Sequence, residues 1–227
     1  MPLPARWERD NRLHVAAPTT SGYPRAAGVI GHHLDDAVLV EIAGVRVTAP
    51  VATWCDLAGL LTVDELVAAG DFLITGTEPY DGVTPLASHE QLARAVSSRI
   101  GRRGIRRLRQ ALPLIRYGSL SPKETELRLL IVRAGLPEPV PNYVLRDGRG
   151  VFVAMIDLAF AEWKVGIEYQ SDLHRERAQF RRDIGRRERI EDEGWSVIYV
   201  SADDLRGSPR QTIDRIRRRL AGRRVVE

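Results

Sequence analysis

Residues Val151–His174 read VFVAMIDLAFAEWKVGIEYQSDLH, and two strands are legible in them, each carrying one carboxylate through an apolar run. Asp157 sits among Val151, Val153, Met155, Leu158, Ala159 and Phe160, and Glu168 among Val165, Ile167 and Tyr169. Strands apolar on both faces are buried by their surroundings. An unpaired carboxylate there is costly, so it finds a cation or keeps its proton. With a turn at Ala161–Lys164, Asp157 falls opposite Glu168, on the same face, with Cβ atoms roughly 4.5–5.5 Å apart. Two carboxylates at that separation can share one Mg²⁺, a hard ion that binds oxygen at about 2.0–2.1 Å and keeps several waters. The pairing points to metal-assisted hydrolysis of a phosphodiester. Its competitor is an ordinary ion pair with one of the chain's arginines.

Working outward, Ser121-Pro122-Lys123-Glu124 opens a helix with the spacing of a capping box and Pro at the first helical position. That helix stops at Gly135-Leu136-Pro137. Tyr143–Leu145 starts the sheet, and Asp147-Gly148 turns into the strand that bears Asp157. A long helix follows from about Leu173 to Glu193 and ends at Gly194. The apolar strand WSVIYV at Trp195–Val200 then pairs parallel to its predecessor, as a helical crossover requires. Ser208-Pro209 begins a last helix. The order is helix, three strands, helix, strand, helix: an α/β sheet flanked by helices.

Ser121–Glu124, Asp157-Leu158-Ala159, Glu168-Tyr169-Gln170, Asp172 with His174, and Arg182-Asp183 together resemble an actinobacterial group, the domain-of-unknown-function 559 group. That group is similar to the very-short-patch-repair (Vsr-like) endonucleases of the PD-(D/E)xK fold. The resemblance runs from Ser119 to Leu220. It implies a restriction-endonuclease-like mixed sheet over 119–227, with DNA as substrate and Mg²⁺ or Mn²⁺ as cofactor. Asp157 matches the motif's first acid and Glu168 its second, so both are the implied metal ligands. The motif's lysine falls on Gln170, an amide that cannot act as a base but can orient a water. Lys164 is no substitute, since four residues of strand span about 13 Å. Related sequences read E-Y-D-G with paired histidines following; this chain has Ser171 and Leu173 there, and keeps His174. An imidazole with pKa near 6.5 suits acid or base work. Either His174 or Glu124 would position or deprotonate the attacking water, and Arg182 or Arg187 would offset charge in the transition state. Capping is an equal reading of Glu124, and a solvated surface residue is the plainer reading of His174.

The first part, 1–116, reads as a small α+β region. LHVAAP, AAGVIGHHL and AVLVEIAGVRVT are strand-like, with Ala43-Gly44 a tight turn. Pro50 opens a helix, and Thr62 with Glu65 forms a second capping box. Thr75–Ser88 is a loop, with helices from His89 to about Ile100 and from Gly104 to about Ile115. Val47–Leu61 resembles the abortive-infection-type antitoxins, which implies a toxin or another defence-system component as partner. Longer members of the group begin with a winged helix, and nothing at this start matches it. His32 and His33 point to opposite faces of a strand and read as surface residues.

The chain of 227 residues carries a formal net charge of +4 and one cysteine, Cys55, which rules out a disulfide framework and a thiolate zinc site. No apolar run approaches a membrane span and no leader is evident, so the cytoplasm is the expected compartment, without membrane contact. Arg99, Arg102, Arg103, Arg106, Arg107 and Arg109 lie in a stretch with no acid between Glu90 and Glu124. Lacking counter-charges, Arg102, Arg103, Arg106 and Arg107 are read as phosphate contacts. Arg175, Arg182, Arg186 and Arg189 share a helix face, where pairs such as Arg189 with Glu193 make a solvated surface the simpler expectation. Two further readings stand beside the nuclease: a DNA-binding or antitoxin-type regulator that kept the fold without activity, and a partner-binding protein with ordinary ion pairs.

Overall fold

A computed structural model describes residues 4, 11–34, 38–77, 84–170 and 177–223, with the backbone alone over 177–184. The chain divides into two compact units, 1–115 and 116–227.

In the first unit, β1 (Leu13–Ala17) pairs parallel with β2 (Val29–His33). A hairpin of β3 (Leu39–Ile42) and β4 (Val45–Thr48) follows. Its two-residue turn holds Ala43 at φ 49° and Gly44 at φ 79°, the left-handed pair that matches strand twist. The two neighbouring histidines face different partners. His32 stacks on His14 with ring centres 5.0 Å apart, and His33 meets Tyr23 edge-on.

Helix α1 (Pro50–Leu57) starts on its proline, and α2 (Val63–Thr75) is held by the expected box. Thr62 Oγ1 accepts the Glu65 N–H at 3.3 Å, and Glu65 Oε2 accepts the Thr62 N–H at 2.8 Å. Trp54 is fully buried between these helices, its indole N–H donating to the Leu66 carbonyl at 2.9 Å. Cys55 beside it is buried too, and burial pushes its thiol up to about 11, so it is no nucleophile at neutral pH. Ser88 and Gln91 box the start of α3 (His89–Ser98), a cap that composition alone did not announce.

A turn at Gly104 then leads into α4 (Ile105–Ala111) and a 3₁₀ turn, Leu112–Leu114. Gly104 stands at φ 86°, and a Cβ there would sit 2.7 Å from the Ala58 carbonyl carbon and 2.8 Å from its Cβ. Gly104→Ala is therefore expected to lower stability by about 2 kcal/mol, from left-handed strain and backbone clash together. A urea melt checks it; an unchanged midpoint would mean the turn moves freely.

In the second unit, α5 (Pro122–Arg133) precedes a four-stranded sheet ordered β5 (Val140–Arg146), β6 (Phe152–Phe160), β7 (Val165–Gln170), β8 (Ser196–Ser201). β5, β6 and β7 are antiparallel, and β8 runs parallel to β7 after the crossover helix α6 (Arg177–Asp192). The chain closes with α7 (Ala202–Arg206), a short helix the sequence pattern did not suggest, and α8 (Pro209–Ala221). The fold is α/β.

Two apolar layers sandwich the sheet. Leu127 and Ile131 of α5 and Ile213, Ile216 and Leu220 of α8 pack with Leu158, Phe160, Ile167 and Val200. Ile190 of α6 and Trp195 pack with Leu145, Ala154, Ile156 and Ala159. Among the described residues no helix is long and apolar enough to cross a membrane.

Candidate active site

Strand alternation slips at Asp157. Ile156 and Ala159, three residues apart, join one apolar layer, while Leu158 joins the other; regular alternation would separate Ile156 from Ala159. The β5–β6 ladder shows why. It pairs Pro141 with Leu158 and Tyr143 with Ile156, skipping Asn142 and Asp157. Asn142 takes φ 45°, a conformation that asparagine tolerates better than most residues. Its side-chain amide donates to the Gly118 carbonyl and to Glu124 Oε2, each at 2.6 Å.

On the other side of β6, the 3₁₀ turn Ala161–Trp163 and Lys164 at φ 49° set the expected register, with Leu158 opposite Ile167 and Ala159 opposite Gly166. One step further, Asp157 stands opposite Glu168, but the ladder ends before it. Asp157 Oδ2 instead accepts the Tyr169 N–H at 2.8 Å, so the carboxylate replaces a strand partner. Glu168 in turn pairs with Tyr199 of β8. A row of positions thus crosses the sheet through Asn142, Asp157, Glu168 and Tyr199.

Among the described side chains, Arg186 of α6 is the cation that pairs with Glu168. Its Nη1 donates to Glu168 Oε2 at 2.7 Å, its Nη2 lies 2.6 Å from Oε1, and Nη2 donates to the Met155 carbonyl. Glu168 Oε1 lies off the axes of those N–H bonds and is buried without a hydrogen bond of its own. Arg187, one residue on, is exposed, pairs with Glu191 at 2.8 Å, and stands 5.8 Å from the Tyr199 ring centre.

Glu124 is buried, and its role is divided. Ser121 Oγ accepts the Glu124 N–H at 3.2 Å, as a cap should, but the Glu124 carboxylate does not return to the Ser121 N–H. It accepts from Leu120 N–H at 2.9 Å and from Asn142. The capping box is half formed, and the freed carboxylate serves the cluster.

Burial pushes the Asp157 carboxyl up to about 7, and the charges of Glu124 and Glu168 push the same way against the Tyr169 hydrogen bond and Arg186. Burial, and Glu168 after it, also raise the Tyr199 phenol. Among the described side chains, three acids therefore face one arginine and are short of positive charge.

That shortage bears on the implied divalent ion. A hard ion held by the Asp157 and Glu168 carboxylates, its shell completed by water, fits a carboxylate pushed to about 7, and it would share Glu168 with Arg186, whose nitrogens already lie 2.6 and 2.7 Å from its two oxygens. A closed site does not fit: among the described residues no three His, Cys, Asp or Glu side chains converge tightly enough to hold a metal.

The other expected residues lie elsewhere. Gln170 is half-buried at the end of β7, opposite Ser201. Lys164 Nζ donates to the Glu193 carbonyl at 3.1 Å, capping the end of α6 rather than approaching the acids. His174 lies outside the described residues, as does the side chain of Arg182. Arg102, Arg103, Arg106 and Arg107 belong to the first unit. Sequence reasoning missed Asn142 and Tyr199, and placed Arg186 only on a solvated face. The signal for Arg186 was its helical spacing from Arg182, without the helix rotation that selects one arginine of the set.

Two uncharacterized proteins of Mycobacterium tuberculosis, from strain CDC 1551 / Oshkosh and strain ATCC 25618 / H37Rv, are similar to this chain. Each is 28% identical over 215 residues, covering 94% of this chain and 76% of the relative. No family model matches the chain. No solved structure matches it.

Proposed function

We propose that the second unit is a restriction-endonuclease-like domain of the Vsr-like kind, and that it hydrolyses DNA phosphodiesters with Mg²⁺ or Mn²⁺. The observation that carries this reading is the acid cluster at the strand skip, where Asp157 is pushed up to about 7 by burial and by two neighbouring carboxylates. Purely structural acids are normally paired off, whereas perturbed carboxylates that share a row are typical of a site awaiting a cation. Asp157 and Glu168 would hold the ion, which when bound polarises a phosphoryl oxygen and acidifies a water.

The protein's own groups do the rest. The Tyr169 N–H and Arg186 fix the two carboxylates, and Asn142 fixes the Glu124 carboxylate. His174 is the proposed proton acceptor, and its replacement by Ala is expected to slow cleavage ~10²–10⁴-fold. A rate unchanged in that variant would move the base to Glu124.

The reading is tested by incubating supercoiled DNA with the protein and Mg²⁺ or Mn²⁺, beside Asp157→Ala. Nicked or linear product from the wild type alone supports it. Equal trace activity in both marks contamination.

A second reading rests on Arg186. A guanidinium that already holds Glu168 in two places supplies internally the charge a metal would bring. In that case the unit is a DNA-binding or antitoxin-type regulator that binds DNA without cutting it, in a bacterial cytoplasm and with a toxin as its partner. Binding that persists where metal-dependent cleavage is absent favours it.

A further inference from the structure

The first unit holds a hollow of about 370 Å³ between the end of α1 and the turn into α4. Arg102, Arg103, Arg106 and Arg107 line it with Gly59 and Gly104, and among the described residues no acid lines it. We propose that this hollow is a phosphate-binding site, taking the phosphate of a nucleotide, free or within a nucleic-acid strand.

Packing, rather than carboxylates, positions two of the guanidinium groups. Arg107 Nη1 donates to the Ala58 and Leu61 carbonyls, both at 3.2 Å, which fixes one charge in the wall. The Arg103 side chain runs past Gly59, where even a Cβ would lie 3.4 Å from its Nε. The glycine at 104 lets the turn press against Ala58, since any side chain there would meet its backbone. The adjacent acid, Asp56, is engaged by Arg99.

Arg103, Arg106 and Arg107 bring like charges to one concavity, and an anion there relieves their repulsion. Guanidinium forks match phosphate oxygens in pairs, so phosphate is the fitting anion. The volume lies near the lower end of the roughly 300–1,000 Å³ of ligand pockets, which suits a single nucleotide. The inference does not depend on the hydrolase reading; where the phosphate belongs to DNA, it gives the first unit a part in that activity.

The test uses the full chain, with pyrophosphate binding followed by calorimetry and labelled duplex DNA binding followed by anisotropy over a salt series. Three variants are compared with wild type. The first replaces Arg102, Arg103 and Arg106 with Gln, leaving Arg107 to brace its carbonyls. The second replaces the same three with Lys. The third is Gly59→Leu, which fills the hollow without altering charge.

The Gln triple and Gly59→Leu are expected to weaken pyrophosphate binding at least ~10-fold, whereas the Lys triple, which keeps the charge without the paired guanidinium contacts, loses less than the Gln triple. If the source is DNA, the Gln triple also lowers the slope of log K against log salt by up to ~2.7, at about 0.9 for each phosphate no longer neutralised. An unchanged slope beside abolished pyrophosphate binding identifies a free nucleotide. Wild type that binds no pyrophosphate, or Gly59→Leu and Gln-triple proteins that bind it as wild type does, overturns the proposal. Asp157→Asn should leave pyrophosphate binding intact, so failed cleavage beside intact binding counts against the hydrolase reading alone.

Discussion

Replacing Arg186 with Met is expected to lower stability by about 3 kcal/mol. Removing one partner of a buried ion pair typically costs about 3–5 kcal/mol, because the other charge is stranded. The low end applies because the Arg186 side chain is 31% exposed while that of Glu168 is 11% exposed. The stranded charge would stand beside Asp157 with neither Arg186 nitrogen to face it. The Met155 carbonyl would lose its donor as well. Changing Glu168 to Leu in the same protein should restore most of the loss, since a well-packed apolar pair often equals a buried ion pair. Urea midpoints of the single and double variants decide this. A loss under about 1 kcal/mol in the single variant would make the pair a screened surface interaction.

The second large effect is a dependence of stability on pH carried by Asp157. Its folded pKa of about 7 lies above the ordinary 3.8. The folded state therefore holds the proton more tightly than the unfolded chain does. Below about pH 4 both states are protonated, and the contribution is fully present. As pH rises from about 4 to 7, the unfolded carboxyl has lost its proton and the folded one still keeps it, so stability falls until the folded group ionises too. Three units at about 1.36 kcal/mol each make the loss on the order of 4 kcal/mol.

Asp157→Asn removes the ionisation and leaves an oxygen to accept the Tyr169 N–H. It should melt roughly 10 °C above wild type at pH 8 and near wild type at pH 4. Under the proposed hydrolase function, the same variant should not cleave DNA. A protein that gains stability on losing this acid has a site whose charges oppose folding; an equal melting difference at both pH values would assign the effect to packing instead.

The register of β6 against β7 was legible because the turn at Ala161–Lys164 is short and the apolar residues around it alternate. The parallel β8 followed from the length of the helix before it. The skip at Asn142 and Asp157 was not legible. It needs an asparagine in the left-handed region opposite an acid that accepts a backbone N–H, and neither leaves a periodic trace. Arg186 was hidden for a different reason. Arg175, Arg182, Arg186 and Arg189 are equivalent in sequence, and the docking of α6, through Ile190 against Ile156 and Trp195, chooses among them. Glu124 was read as a cap or a site residue, and its geometry divides the two tasks between its N–H and its carboxylate. The parallel pairing of β1 and β2 also lay beyond pattern reading, since parallel neighbours usually need a helical crossover and 18–28 supplies none.

The proposed metal site requires Asp157 to be a raised carboxyl that a divalent cation can claim. Carbon-13 NMR of the aspartate carboxyls, titrated over pH with and without Mg²⁺, reads this directly. Without the ion, the Asp157 resonance should titrate near 7. With Mg²⁺ in excess it should titrate at least one unit lower, because a bound cation favours the ionised form. A resonance that titrates near 4 without the ion, or one near 7 that Mg²⁺ leaves in place, would contradict the proposed metal site.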